Sequence, residues 1–174
     1  VGTVDVVSVA FAQHQGQPAA ASIVLSVYAL GSCIAGLVFG TLKLKTPLPT
    51  LFLFGAAATA LTVVPLMWVS SIATLAAAMF VAGLFFAPTL ITAMGLVENI
   101  VPPAKLTEGL TWMITGLGIG VALGAVAGGW VIDVYGAQAG FSVSLAAGLG
   151  MLLFAVLGYR LLQNSTHPHP ASLA

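Results

Sequence analysis

Long apolar stretches separated by short polar segments make up most of the chain. The few charged residues mark their boundaries, and there are eight of them: Asp5, Lys43, Lys45, Glu98, Lys105, Glu108, Asp133 and Arg160. The uncharged stretches between Glu108 and Asp133 and between Asp133 and Arg160 each fit one slightly tilted helix across a bilayer core of about 30 Å. The stretch from Lys45 to Glu98 has room for two helices with a turn at 68–71. Pro18 predicts the start of another helix, since proline is tolerated in the first turn.

This pattern predicts an all-α membrane protein, a six-helix transmembrane bundle whose first helix is truncated. Residues 1–12 are apolar, but they fall short of the roughly 20 residues that a spanning helix needs. The chain begins with Val1, and no basic segment precedes this stretch as in a signal peptide. We therefore expect the helix to start upstream. The predicted spans are 1–12 in part, 19–42, 48–68, 71–97, 107–132 and 140–162, followed by a disordered cytoplasmic tail at 163–174.

Composition indicates that the outer surface of this bundle faces lipid. The chain is 60% hydrophobic and 5% charged, whereas a soluble domain carries about a quarter of its residues as charged ones. We expect membrane lipid as a partner and no nucleic acid. We also expect no cofactor and no metal, because His167 and His169 in the tail are too few for a site of three or four fixed ligands. The lone Cys33 is interpreted as a small apolar residue.

The basic residues predict the orientation. Cytoplasmic loops of membrane proteins are enriched in Lys and Arg. With the spans above, Lys43, Lys45, Lys105 and Arg160 all lie on one side, and the segments QHQGQP, WVSS and DVYGAQAG on the other side contain no Lys or Arg. We therefore predict a multi-pass protein with a cytoplasmic C-terminus.

The glycine-rich segment GLGIGVALGAVAGG lies inside the predicted fifth span. Its glycines follow a spacing of four: Gly116, Gly120, Gly124 and Gly128. Each step of four rotates by only about 40° on an α-helix, so these positions form a ridge on which another helix can pack closely. A phosphate-binding loop is disfavoured, because the spacing fails the dinucleotide pattern and no strand precedes it.

The second span carries a shorter ridge of the same kind, formed by Ser32, Gly36 and Gly40. Spans two and five are the middle helices of two sets of three. Many transporters are built from inverted three-helix repeats. The paired ridges therefore favour a bundle of 3+3 inverted repeats.

Two segments resemble a known family. GLFFAPTLITAMGLVENIVPPAKLTEGLTWMITGLGIGVALGAVAGGWVIDVYG and YALGSCIAGLVFGTLKLKTPLP are similar to the C-terminal six-helix half of bacterial major facilitator superfamily transporters, especially efflux-type permeases. The resemblance implies a central cavity shared with an N-terminal six-helix half as partner, and alternating access by rocking of the halves. It also implies a cavity-lining role for the helices containing Asp5 and residues 83–88. The loop GLVFGTLKLKTP lacks the acidic residue that the family often has there.

Four side chains are candidates for proton coupling or substrate binding: Asp5, Tyr28, Glu98 and Glu108. A carboxylate in the hydrocarbon costs about 2.5 to 3.5 kcal/mol on insertion scales, and buried acids in membranes commonly relay protons. Asp5 lies about 10 Å deep on its helix, and we weigh a coupling role equally against an interfacial position. Tyr28 needs a partner or a wet cavity for its hydroxyl. Glu108 is also explained as a first-turn acid.

Pro88 is predicted to kink the fourth span and to free backbone carbonyls toward a cavity, although neighbouring helices also tolerate such kinks. Asp133 is expected to be solvated.

The leading hypothesis is a bacterial inner-membrane secondary transporter that moves a small molecule outward, with efflux coupled to a proton gradient, and that is not an enzyme. One alternative is a six-helix binding or scaffold subunit. The other is an intramembrane enzyme with Ser32 or Cys33 as nucleophile, which is disfavoured because all three histidines lie outside the spans and no general base is at hand.

Overall fold

The computed structural model describes residues 2–42, 46–69 and 71–165, and the regular secondary structure in these ranges is entirely helical. The α-helices, numbered in chain order, are α1 (Gly2–His14), α2 (Pro18–Thr41), α3 (Leu48–Leu61), α4 (Ile72–Ile100), α5 (Leu106–Tyr135) and α6 (Ala137–Ser165). Two short 3-10 helices, Val64–Trp68 and Pro103–Lys105, precede α4 and α5. The predicted all-α fold class is confirmed.

Five helices in the described part of the chain are long and apolar enough to cross a membrane: Pro18–Thr41, Leu48–Leu66, Ile72–Ile100, Pro103–Tyr135 and Ala139–Arg160. Large apolar side chains point away from the bundle on these helices. Leu37, Val126 and Phe154, for example, are 68%, 72% and 75% exposed. A surface of this kind is stable against lipid and not against water, so the chain is a multi-pass membrane protein.

The third predicted span, 48–68, corresponds to the segment Leu48–Leu66, which is long and apolar enough to cross a membrane but is not one continuous α-helix. The α-helix α3 ends at Leu61, and a turn at Thr62 and Val63 leads into the 3-10 helix. Pro65 explains the break. Proline has no N–H to donate to the carbonyl four residues earlier, which is that of Leu61, and its ring clashes with that carbonyl.

Helix α4 begins with a capping box. The Ser71 hydroxyl accepts a hydrogen bond from the Thr74 backbone N–H, and the Ser71 N–H donates to Thr74 Oγ1, both at 3.2 Å. Such reciprocal bonds satisfy amides that have no partner within the helix. The helix then continues through Pro88 to Ile100 as one element.

Pro88 lies inside this continuous helix, and hydroxyl groups bind the carbonyls next to it. Thr89 Oγ1 donates to the Phe85 carbonyl at 2.6 Å, and Thr92 Oγ1 donates to the Pro88 carbonyl at 2.7 Å. The carbonyl that Pro88 leaves without a helical donor is that of Leu84, four residues earlier, and its exposure to a cavity stays a prediction. The kink at Pro88 stays a prediction.

The last two helices are joined by one glycine. Gly136 has φ of +89°, a conformation that L side chains rarely adopt, and it lets the chain reverse between Tyr135 and Ala137. Helix α6 extends to Ser165, three residues into the segment predicted as a tail. Residues 43–45 and 166–174, with Lys43, Lys45, His167 and His169, lie outside the described residues.

The helix contacts repeat between the first and last three helices. In the first pair of corresponding contacts, α2 packs on α4 and α5 packs on α1. In the second pair, α3 packs on α4 and α6 packs on α1. Helices α3 and α6 contact each other. These contacts are the ones expected of two three-helix repeats in which α1, α2 and α3 correspond to α4, α5 and α6. They depart from that correspondence in one pair, since α5 contacts α6 much more than α2 contacts α3.

Glycines bring α2 and α4 into backbone contact. A Cβ atom built on Gly31 would lie 2.6 Å from the Phe80 carbonyl oxygen, and one on Gly83 would collide with the Tyr28 carbonyl oxygen. Gly36 faces Ala87, with its added Cβ 3.2 Å from the Ala87 Cβ. Side chains larger than hydrogen would therefore separate the two helices at Gly31 and Gly83.

The glycine ridge of α5 contacts α1 along part of its length. Added Cβ atoms on Gly124 and Gly128 would lie 2.6 Å and 2.9 Å from Thr3 side-chain atoms. Added Cβ atoms on Gly116 and Gly120 would have no described atom of another helix within 4 Å, whereas one on Gly2 of α1 would collide with Val121. Gly40 of the shorter ridge likewise has no described neighbour within 4 Å.

The main apolar core lies at the end of the bundle where α1 ends and α2 begins, here called the α1–α2 end. Its buried members are Val7, Phe11, Val24, Val63, Leu66, Val69, Leu75, Met79 and Phe141. The Phe11 and Phe141 rings pack with centroids 6.4 Å apart. This core fixes α1, α2, α4 and α6 relative to one another at that end.

The contact at Gly31 predicts a difference between two glycines of α2. We expect Gly31→Ala to lower the thermal unfolding midpoint of the detergent-solubilised protein, because overpacking costs about 1 to 3 kcal/mol. Gly40→Ala is the matched control on the same helix, and it should leave the midpoint unchanged or raise it, since alanine favours helix by up to about 1 kcal/mol. Equal midpoints for both variants would contradict the close α2–α4 contact.

Candidate functional site

Two of the predicted site residues, Asp5 and Tyr28, line one cavity in the middle of the bundle. The cavity measures about 110 Å³ and is called the inner cavity below. It lies among α1, α2, α4, α6 and the end of α3, and its polar lining residues are Thr3, Asp5, Tyr28, Thr59, Thr62 and Ser144. Asp5 lies nine residues before the end of α1 at His14, about 14 Å along the helix axis at about 1.5 Å per residue.

Tyr28 reaches the cavity because α2 lies close to α4. The contact of Gly83 with the Tyr28 backbone sets this position. The Tyr28 ring packs against Phe86 with centroids 6.0 Å apart, and Phe86 lines the same cavity. The Tyr28 ring thus packs on an apolar neighbour, while the residue also borders the polar part of the cavity lining.

Two threonines in the lining present oxygen lone pairs to the cavity. Thr59 Oγ1 donates its hydrogen to the Gly55 carbonyl at 2.8 Å, and Thr62 Oγ1 donates to the Thr59 carbonyl at 2.7 Å. A hydroxyl group has one donor hydrogen and two acceptor lone pairs. Because the hydrogens are engaged with the backbone, these two oxygens are left as acceptors.

Ser144 supplies a hydroxyl without a partner. The residue is 3% exposed, and its Oγ atom has no hydrogen-bond partner among the described residues. Burying a hydroxyl without a hydrogen bond costs about 1 to 3 kcal/mol, so the Ser144 hydroxyl group needs a hydrogen-bond partner from outside the described chain. A ligand or water in the inner cavity would satisfy it.

Asp5 also borders a second cavity. A groove of about 390 Å³ runs between α1 and α5 toward the α1–α2 end, and its polar residues are Asp5, Gln13 and Asp133. We call it the α1–α5 groove. Asp5 is the one residue that its lining shares with that of the inner cavity. Among the described residues, no Lys or Arg side chain contributes to either lining.

A larger, mostly apolar cavity of about 680 Å³ adjoins the inner cavity and shares Thr3 and Thr59 with it. Gly116, Gly120 and Gly124 form part of its wall. The first half of the glycine ridge therefore lines a cavity in this structure and does not contact a described helix.

The other two acidic candidates lie apart from this cluster. Glu98 near the end of α4 and Glu108 in the first turn of α5 are both exposed, and neither contributes to the three cavities above. Pro88 also lies outside these linings. Ser32 packs near Gly83 at the α2–α4 contact, and Cys33 is exposed.

Sequence reasoning missed Ser144, Thr59, Thr62 and the placement of Asp133. Serine and threonine are common in membrane helices, so their identity carries no signal for a cavity. Asp133 was expected to be solvated, and its side chain is exposed, but it also borders the groove that leads to Asp5. The described residues contain no cluster of three or more His, Cys, Asp and Glu side chains that could hold a metal.

Comparison with protein-family models identifies a match over almost the whole chain. The model of the Major Facilitator Superfamily matches residues 3–173, in agreement with the resemblance seen in the sequence. Comparisons with curated proteins and with solved structures gave no match.

Proposed function

Because the chain belongs to the major facilitator superfamily of transporters, we propose that it is the C-terminal six-helix half of a bacterial inner-membrane efflux transporter. It moves a small molecule by alternating access together with an N-terminal six-helix half, and a proton gradient drives the movement. Asp5 is the coupling residue. The observation that carries this proposal is a half-buried carboxylate that borders two cavities inside a membrane bundle.

The position of Asp5 supports a coupling role over an interfacial one. A carboxylate at this depth is costly in its charged form unless a cation or proton neutralises it. In the described part of the chain, the linings of the inner cavity and the α1–α5 groove contain no Lys or Arg that could do so permanently. Coupling to an ion gradient requires a site that binds its neutralising cation or proton reversibly.

Glu98 and Glu108 are weaker candidates for the same role. Both side chains are exposed, so their charged forms can stay solvated at the membrane surface. Glu108 also lies in the first turn of α5, where the helix dipole stabilises an acid by about 0.3 to 1 kcal/mol. We therefore assign coupling to Asp5 alone.

The coupling role predicts the outcome of three substitutions in the full-length protein. Efflux of a panel of fluorescent cationic and neutral dyes is measured in everted membrane vesicles, with and without collapse of the pH gradient by nigericin. We expect Asp5→Asn to reduce gradient-driven efflux by about tenfold or more, within the usual range of coupling between two ligands. Glu98→Gln and Glu108→Gln should stay within about twofold of the unmodified protein, which is below the usual range of coupling, because both side chains are exposed and outside the cavities. Gradient-dependent efflux that persists in Asp5→Asn would refute the assignment.

The proposed orientation places the C-terminus in the cytoplasm and is tested by labelling. In a Cys33→Ser background, a cysteine is introduced at Gln17, between α1 and α2, or at Ala104, between α4 and α5. A membrane-impermeant maleimide added to intact cells should label Gln17→Cys and should label Ala104→Cys only after the membrane is permeabilised. The distribution of Lys and Arg is the physical reason, and the reverse labelling pattern would show that the orientation is inverted.

A further inference from the structure

Asp5 lies where the α1–α5 groove meets the inner cavity. We propose that the inner cavity is a binding site for one small monovalent cation, either hydronium or Na⁺, which arrives through the α1–α5 groove. The carboxylate of Asp5 and the hydroxyl oxygens of the cavity hold the ion. The role of this ion in driving transport rests on the proposed function. The binding of the ion does not.

The donor set has the chemistry of a hard cation site. Small hard cations prefer carboxylate, hydroxyl and water oxygens. The inner cavity offers one carboxylate together with hydroxyl groups from three helices: Tyr28 of α2, Thr59 of α3 and Ser144 of α6, with Thr62 directly after α3. The hydroxyl of Thr3 lies against Gly124 of α5 instead. The described lining offers no nitrogen side chain and only one sulfur, the thioether of Met151, so its ligands are mainly oxygen atoms and do not match the sets that transition metals prefer.

The directions of the hydroxyl hydrogens favour a cation over an anion. Thr59 and Thr62 give their hydrogens to the backbone carbonyls of Gly55 and Thr59, which leaves lone pairs on both oxygens. Ser144 Oγ has no protein partner in the described structure and is almost fully buried. An anion would meet the lone pairs of Thr59 and Thr62 and the Asp5 carboxylate, whereas a cation binds these oxygens and can also take a lone pair of Ser144.

The charge of the lining selects a single positive charge. Asp5 is the one acidic side chain that the described residues bring to the inner cavity, and Asp133 borders the groove instead. A divalent ion would leave one uncompensated charge in a medium of low dielectric constant, which is far costlier than a neutral pair. Tyr28 from α2 and Asp133 from α5 are the other titratable residues of the two linings. The remaining lining residues of α3, α4 and α6 are apolar or carry hydroxyl groups.

Size and access agree with a partly hydrated ion. A cavity of about 110 Å³ exceeds the space that a single ordered water needs, and its polar walls offer the two to four partners that such water requires. Gln13 and Asp133 border the α1–α5 groove near the α1–α2 end. Negative charge in a cleft raises the local concentration of cations, so the groove is a suitable path to Asp5.

The site is tested by thermal unfolding of the purified full-length protein in detergent, without any substrate. NaCl is titrated against choline chloride at constant ionic strength and at several pH values, with KCl as a second comparison. A cation that binds only the folded state raises the unfolding midpoint by mass action. Asp5→Asn should abolish this response. Ser144→Ala should weaken the apparent affinity by about tenfold, as expected for a lost hydrogen bond to a charged partner.

Two further variants separate a role in the site from a role in folding. Ser142→Ala is the matched control, because Ser142 lies on the same helix, is exposed and donates to the Ala139 carbonyl at 2.6 Å. It should bind the ion as the unmodified protein does. Thr59→Val should weaken binding and Thr59→Ser should retain it, because serine keeps the oxygen and valine keeps only the shape.

The ionic conditions distinguish the two possible ions. A stabilisation by Na⁺ that weakens as the pH falls, and that depends on Asp5 and Ser144, identifies a sodium site in which protons compete. An unfolding midpoint that does not change with Na⁺ but changes with pH, and does so only when Asp5 and Ser144 are present, identifies hydronium. If Ser144→Ala and Thr59→Val leave both the Na⁺ response and the pH profile unchanged, the inner cavity is not a cation site.

Failure of this inference can be told from failure of the proposed function. If Asp5→Asn abolishes gradient-driven dye efflux while Ser144→Ala and Thr59→Val change neither binding nor efflux, the coupling role stands and the cavity site is refuted. If cation binding depends on Asp5 and Ser144 while efflux responds to neither a proton nor a sodium gradient, the site stands and the coupling role is refuted.

Discussion

Close contact between helix backbones at glycine holds this bundle together. In lipid, helices gain little from turning apolar side chains toward each other, so their association depends on van der Waals packing and close approach. Gly31 and Gly83 provide this approach between α2 and α4, and Gly124 and Gly128 provide it between α5 and α1. Because these two contacts correspond to each other in the 3+3 repeat, the same physical device stabilises both halves of the bundle.

The positions of the polar cavities follow from these contacts. The contact at Gly83 fixes the backbone of Tyr28, and the contact at Gly124 fixes Thr3. Both Tyr28 and Thr3 line the inner cavity. The glycines that pack the helices therefore also determine which side chains meet around Asp5.

The fold class could be predicted from the sequence because a bilayer limits the possible structures. A spanning segment must be about 20 apolar residues long and helical, so eight charged residues were enough to separate the spans. The break after Leu61 was missed because hydropathy does not register the effect of Pro65 on one carbonyl. The ridge at Gly116 to Gly128 predicted a helix contact, but spacing alone does not say which of its glycines face another helix of the described chain and which line a cavity.

The candidate site was only partly predictable, for a different reason. Asp5 and Tyr28 stand out because each is polar within an apolar helix, and a single sequence shows that directly. Ser144 and Thr59 become informative only through burial and the direction of one hydrogen bond. Asp133 looked like an end-of-helix acid, and its relation to Asp5 depends on how α1 lies against α5.

The contact between α1 and α5 links ion binding to helix movement. Thr3 packs against Gly124 and Gly128 and also lines the inner cavity, while Asp5, two residues later, borders both the cavity and the α1–α5 groove. Any shift of α1 along the glycine ridge must therefore move Thr3 and Asp5 together, and it changes the shape of the cavity and the groove at once. Conversely, a cation held by Asp5 and the hydroxyl groups of α3 and α6 restrains α1 against those helices. The smooth surface that glycine gives to α5 thus makes the position of α1 sensitive to whether Asp5 has an ion.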